Sequence, residues 1–170
     1  GARAEYMEDG CIADVAKEVD LIVNSTTKGL SGLRYLGGGR TTCLEAYSAL
    51  GPASPATIAE SDAADTAAAM STLFQQSLSD ISLNSEASSQ IVASVPASTD
   101  FVDIIYSPLE TPMLAHARVS GHRTLNGKAM NIAQAADGFV NKALASHLSE
   151  SGWDLEEAYQ RVFRTMAGIW

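Results

Sequence analysis

Apolar residues recur at Ile12, Val15, Ala16, Val19, Ile22 and Val23. Those steps of three and four put them on one face of a helix. Asn24 and the pair Lys28-Gly29 close it. The stretch LSGLRYLGGGR (30–40) reads as a loop, because Gly37 to Gly39 are too flexible for regular structure. Thr42 and Glu45 have the spacing of a capping box, which predicts a short helix through Tyr47 and Leu50 up to Gly51-Pro52.

Ser61 or Asp62 can cap the next helix, whose apolar line is Ala63, Ala67, Met70, Phe74 and Leu78. Ser85 opens another over 86–94, which Pro96 ends by withdrawing a backbone donor. FVDIIYS (101–107) has the Val and Ile of a strand, yet Thr99 and Asp100 offer helix caps, and the stretch is read as a helix on those caps. Two prolines make the following segment irregular, a loop insertion at 108–135 with one short helix. Met130, Ala133, Ala136, Val140, Leu144 and Leu148 then mark one helix or a pair broken at Gly138, and Asp154 with Glu157 caps a last one carrying Leu155, Ala158, Tyr159, Val162, Phe163, Met166 and Ile169. The expected fold is all-α, seven or eight mostly short helices in a single domain, 1–170.

A net charge of −9 would repel nucleic acid and anionic membrane surfaces. No apolar run approaches the roughly 18 residues that span a bilayer. GARAEYMEDG at the start is polar and lacks a signal-peptide core, as in a mature chain whose targeting peptide has been removed. Cys11 and Cys43 are compatible with one disulfide, joining the starts of two helices, or with two buried thiols. Asn24-Ser25-Thr26 matches a glycosylation triplet, and a polar helix exit explains it equally. Aromatic residues are only 6% of the chain while alanine is abundant. Such helices either approach one another closely or leave space for an apolar guest.

Chemistry is sparse. His116 and His122 fall on different sides of any helix, His147 is remote from both, and no metal-ligand spacing is present. Gly37 to Thr42 could cradle an anion but lack the lysine and preceding strand of a phosphate loop, which leaves a flexible linker. No serine sits in a nucleophile-elbow motif. The expectation is a protein that is not an enzyme.

The runs DGCIADVAKEVD (9–20), LEAY (44–47), SLSDISLNSEASSQIVASVP (77–96), FVDIIYS (101–107) and SGWDLEEAYQRVF (151–163) resemble, in order and spacing, one repeat unit of the peridinin-chlorophyll a proteins of dinoflagellates. The resemblance implies a light-harvesting, pigment-binding protein of the chloroplast thylakoid lumen. It would hold chlorophyll a with peridinin or a related carotenoid and pass excitation to a photosystem or its antenna. Photosystem or antenna membrane proteins, or a second copy in a homodimer, would be its partners. The alternative is a structural lumenal subunit of a photosystem with the same fold and few pigments or none. On this reading Thr66, Ala67, Met70, Phe74, Ile91, Tyr106 and Phe139 line the pigment pocket. Thr66-Ala67 stand where the family carries a histidine pair, so the chlorophyll magnesium would fall to His116, His122 or His147, or to a water held by Thr66.

Overall fold

The computed structural model describes residues 12–169, and the chain divides between Asn126 and Gly127 into two compact units. The first unit is mixed α/β, which overturns the all-α expectation. It opens with α1 (Ile12–Val15), a 3-10 turn and β1 (Leu21–Asn24), continues through β2 (Leu33–Leu36), β3 (Arg40–Cys43) and β4 (Ile58–Ala59) into the long α2 (Thr66–Ser94), and ends with β5 (Asp100–Asp103), α3 (Pro112–Val119) and β6 (Thr124–Leu125). Cys11 lies outside the described residues, as does any bridge from it to Cys43.

Two sheets replace the expected loops and helices. The runs LIVN and DFVD pair in parallel as β1 and β5, with Ile22 opposite Phe101 and Asn24 opposite Asp103, and β6 adds in parallel beyond β5. FVDIIYS is therefore strand followed by loop, as its β-branched residues favour. Its supposed caps serve other ends: Thr99 Oγ1 donates to Val19 O at 2.9 Å, and Asp100 takes both ends of the Arg123 guanidinium at 2.7 Å. β2, β3 and β4 form an antiparallel sheet, in which Gly37 to Gly39 make the β2–β3 turn. Thr42 is a strand residue rather than a cap, its hydroxyl bonded to Ala56 O at 2.7 Å.

One face of the parallel sheet carries the core. Phe101, fully buried, lies tilted against the His122 ring, centroids 5.0 Å apart, and packs with Val92 and Val95 at the end of α2 and with Met113, Leu114 and Ala117 of α3. The other face carries Leu21, Val23, Val102 and Leu125, and is largely open.

The second unit comprises α4 (Lys128–Asp137), a π turn over Gly138–Ala143, α5 (Ala145–Glu150) and α6 (Leu155–Ile169). Segment 108–135, expected as an insertion, thus contains α3, β6 and most of α4. The buried line runs Ile132, Ala136 and Val140, while Met130 and Phe139 are exposed. Gly138 opens the π turn, a local widening of the helix. Asp154 Oδ1 accepts from Glu157 N at 2.8 Å and starts α6.

α2 is one helix of 29 residues where two were expected. Asp65 caps it by accepting from Ala68 N, and Val95 leaves it in extended form ahead of Pro96. Its buried stripe is Ala69, Leu73, Ser77, Asn84, Ser88 and Val92, half of it polar. Asn84 exchanges hydrogen bonds with the backbone of Ser48 (2.8 and 3.1 Å) and donates to Pro52 O (2.9 Å). Gly51 is needed there, since a Cβ would stand 2.4 Å from the Asn84 carbonyl. His116 clamps α3 to the same stripe, with Nδ1 at 2.9 Å from Ser88 Oγ and Nε2 at 3.3 Å from Ser85 Oγ. Burial pushes its imidazole below the ordinary histidine value of 6.5. The unfolded chain therefore takes up this proton first, so the clamp's contribution is complete above pH about 6.5 and declines as pH falls below it. Urea midpoints are expected to drop between pH 7.5 and pH 5.5 in the native chain, and to drop less in His116→Gln.

Candidate functional site at the carboxyl edge of the parallel sheet

β1 and β5 both end in a buried polar residue, and those two side chains meet. Asn24 Nδ2 donates to both oxygens of Asp103, at 3.1 and 3.0 Å, and to Lys28 O at 3.1 Å. Asn24 Oδ1 accepts from the Thr26 amide and hydroxyl at 2.9 and 2.7 Å. Asp103, fully buried, also accepts from Ile105 N at 2.9 Å and Thr111 Oγ1 at 2.7 Å. Every polar atom of the pair is satisfied, as burial demands. Gly29, at φ +96°, lets the loop after β1 lie against Thr111, whose Cβ would be 3.0 Å from an added methyl.

The lattice holds the loops beyond the carboxyl ends of the parallel strands, where open α/β sheets place their ligands. Exposed Ser25 and Thr26, half-buried Thr27, exposed Tyr106 and half-buried Asn126 bring hydroxyl and amide groups to this edge. Asn126 Nδ2 donates to Leu109 O at 2.9 Å, tying the end of β6 to the loop after β5. The Lys28 ammonium is spent on Gly51 O at 3.0 Å. Asp103 and Lys28 thus shape the edge and are not open to a ligand.

The residues singled out from sequence are scattered. Tyr106 lies at this edge. Met70 and Phe74 line a cleft beside α2, Thr66 and Ala67 are exposed in the first turn of α2, Ile91 borders a separate cleft with Ile12 and Leu50, and Phe139 belongs to the second unit. His122 has both ring nitrogens against backbone carbonyls, Thr99 O at 3.1 Å and Val92 O at 3.3 Å, and His116 is engaged by two serines. His147 is exposed on α5. Among the described residues no three His, Cys, Asp or Glu side chains gather as metal ligands would. Neither Asp103 nor Thr111 is among the candidate site residues expected from sequence, and Asn24, expected as a helix end or glycosylation triplet, is not an open glycosylation site, because its amide is spent inside the protein. The legible signal was two short apolar runs, LIVN and DFVD, each closing on a polar residue.

No protein-family model matches the chain, and no solved structure matches it. The shikimate dehydrogenase (NADP(+)) of Chelativorans sp. (strain BNC1) is 41% identical over 64 residues, which is 35% of this chain and 23% of that protein. The shikimate dehydrogenase (NADP(+)) of Nitrobacter hamburgensis is 47% identical over 45 residues, 26% of this chain and 16% of the relative. The chain spans less than a quarter of the length of these curated relatives. Part of the chain is therefore similar to an enzyme, contrary to the non-enzyme expectation.

The same similarities overturn the resemblance to peridinin-chlorophyll proteins and the photosynthetic description built on it. NADP is the cofactor in the names of those two relatives, and nothing in the comparisons supports chlorophyll a, peridinin or another carotenoid. The quoted runs were short, and the most apolar of them, FVDIIYS, is strand and loop. The lumenal location and the photosystem or homodimer partners rested on that resemblance and have no other support.

Removing either member of the lattice orphans the other's buried groups. Asn24→Ala and Asp103→Ala should each cost about 3 kcal/mol in urea unfolding. The double variant should cost clearly less than their sum. Strict additivity would show that the two side chains act independently.

Proposed function

We propose that this chain is part of an NADP-dependent dehydrogenase of the shikimate type, and that the carboxyl edge of its parallel sheet faces the nicotinamide nucleotide. The observation that supports this most is the 41% identity over 64 residues to an enzyme of that name, in a chain whose buried polar lattice lies at a parallel-sheet edge. NADP would supply hydride exchange with an alcohol carbon.

The described residues fit that nucleotide in part. Ser25 and Thr27 offer neutral donors and acceptors suited to an amide or a ribose, while Thr26 and Asn126 are engaged on Asn24 and Leu109 and frame the edge. Among the described residues, however, no glycine-rich turn joins a parallel strand to a helix N-terminus, the usual seat of a pyrophosphate. Gly37 to Gly39 close an antiparallel hairpin instead. The chain's own contribution is to bind and orient at the edge, with Asn24 and Asp103 holding the loops still.

Amide chemical shifts recorded while titrating NADP+ test this directly. Residues 24–28, 104–106 and 126 should move, and NAD+ should move them less. Thr26→Tyr, which fills the edge, should weaken the response about tenfold. Unmoved edge amides at millimolar NADP+ would contradict the proposal.

A further inference from the structure

A second cleft, sharing no residue with the sheet edge, opens between the end of β3 and the first half of α2. It has a volume of about 460 Å3 and is walled by Cys43, Glu45, Met70, Leu73, Phe74 and Ile81. That volume suits a small organic molecule. Leu73 is buried at the floor, while Phe74 stands 44% exposed on the wall. Met70, Phe74 and Ile81 follow helical spacing on the face of α2 that lines the cleft, interrupted by Ser77, whose hydroxyl accepts from Ala56 N at 3.0 Å.

The polar end is set by Glu45. Its Oε2 accepts only a long bond from Gly32 N, 3.4 Å, and no basic side chain pairs with it among the described residues. α2 itself contains neither Lys nor Arg. Beside it the Cys43 thiol is pushed up, first by burial and further by the Glu45 charge, and so stays protonated as a soft, neutral part of the wall. A carboxylate without a counter-ion at one end of an apolar cleft complements a cation carried on an apolar body. Anions meet both Glu45 and a net charge of −9, which sets this cleft apart from any that would take NADP or shikimate.

We propose that the cleft binds small primary amines with an aromatic or branched apolar body, the ammonium on Glu45 and the body against Met70, Leu73, Phe74 and Ile81. Three probes with one body and different heads test it on the full chain by amide-shift titration: 4-phenylbutylamine, 4-phenylbutan-1-ol and 4-phenylbutyrate. The amine should bind about tenfold tighter than the alcohol, with the carboxylate weakest. Glu45→Gln should bring the amine down to the level of the alcohol while leaving the alcohol unchanged, and Ser71→Trp, which fills the cleft from its rim, should abolish both. Thermal unfolding of each variant verifies that it is folded. Equal binding of the three probes, no binding of any at millimolar concentration, an amine preference that survives Glu45→Gln, or shifts confined to residues outside 43–46 and 70–81 would each overturn the proposal. Failure here leaves the dehydrogenase reading intact, since that is read out by NADP+ at residues 24–28.

Discussion

A carboxyl group cut off from water must find its donors inside the protein, and the fold of the first unit follows from how Asp103 finds them. Its four acceptances come from β1, from the backbone just beyond β5, and from the residue that caps α3. Thr111 does two jobs at once, donating to Asp103 and accepting from Leu114 N at the start of α3. Asn24 and Asp103 are 79 positions apart, with the antiparallel sheet and α2 between them. Closing a loop of that length is entropically costly, so the pairing must be specific to persist. An unsatisfied group in that position would cost more than any single apolar contact nearby contributes.

That long separation also explains what could be read from the sequence and what could not. α6 was legible because its signals are local: an Asp154 cap and an apolar face within fifteen residues. β5 was ambiguous because strand and helix compete over a short apolar run, and the arbiter, register with Leu21–Asn24, lies far upstream. α2 was split in two because its buried face is carried at Ser77, Asn84 and Ser88 by polar residues, which a count of apolar positions passes over. The capping-box pattern at Thr42 and Glu45 misled for a related reason. A hydroxyl that can cap a helix can equally bind a backbone carbonyl across a sheet, here that of Ala56.

The functional reading changed with the fold. Alanine-rich helices suggested a hollow to be filled by pigment, yet many of those alanines face solvent on α2 or pack tightly at Ala69, Ala117 and Ala136. Two sites of different chemistry stand out in the first unit. The sheet edge offers neutral hydroxyls and amides over a rigid floor. The cleft beside α2 offers apolar walls and one carboxylate. One is neutral and the other anionic, so a cation suited to the cleft finds no charged partner at the edge.

Native-state hydrogen exchange at the junction of β1 and β5 tests the central claim most directly. The amides of Ile104, bonded to Asn24 O, and Ile105, bonded to Asp103 Oδ1, lie where an unpaired loop would exchange within seconds. If the buried lattice holds the edge, both should exchange as slowly as the Phe101 amide in the middle of β5. Exchange at the rate of the exposed Ser25 amide would show that the lattice does not organise this part of the fold.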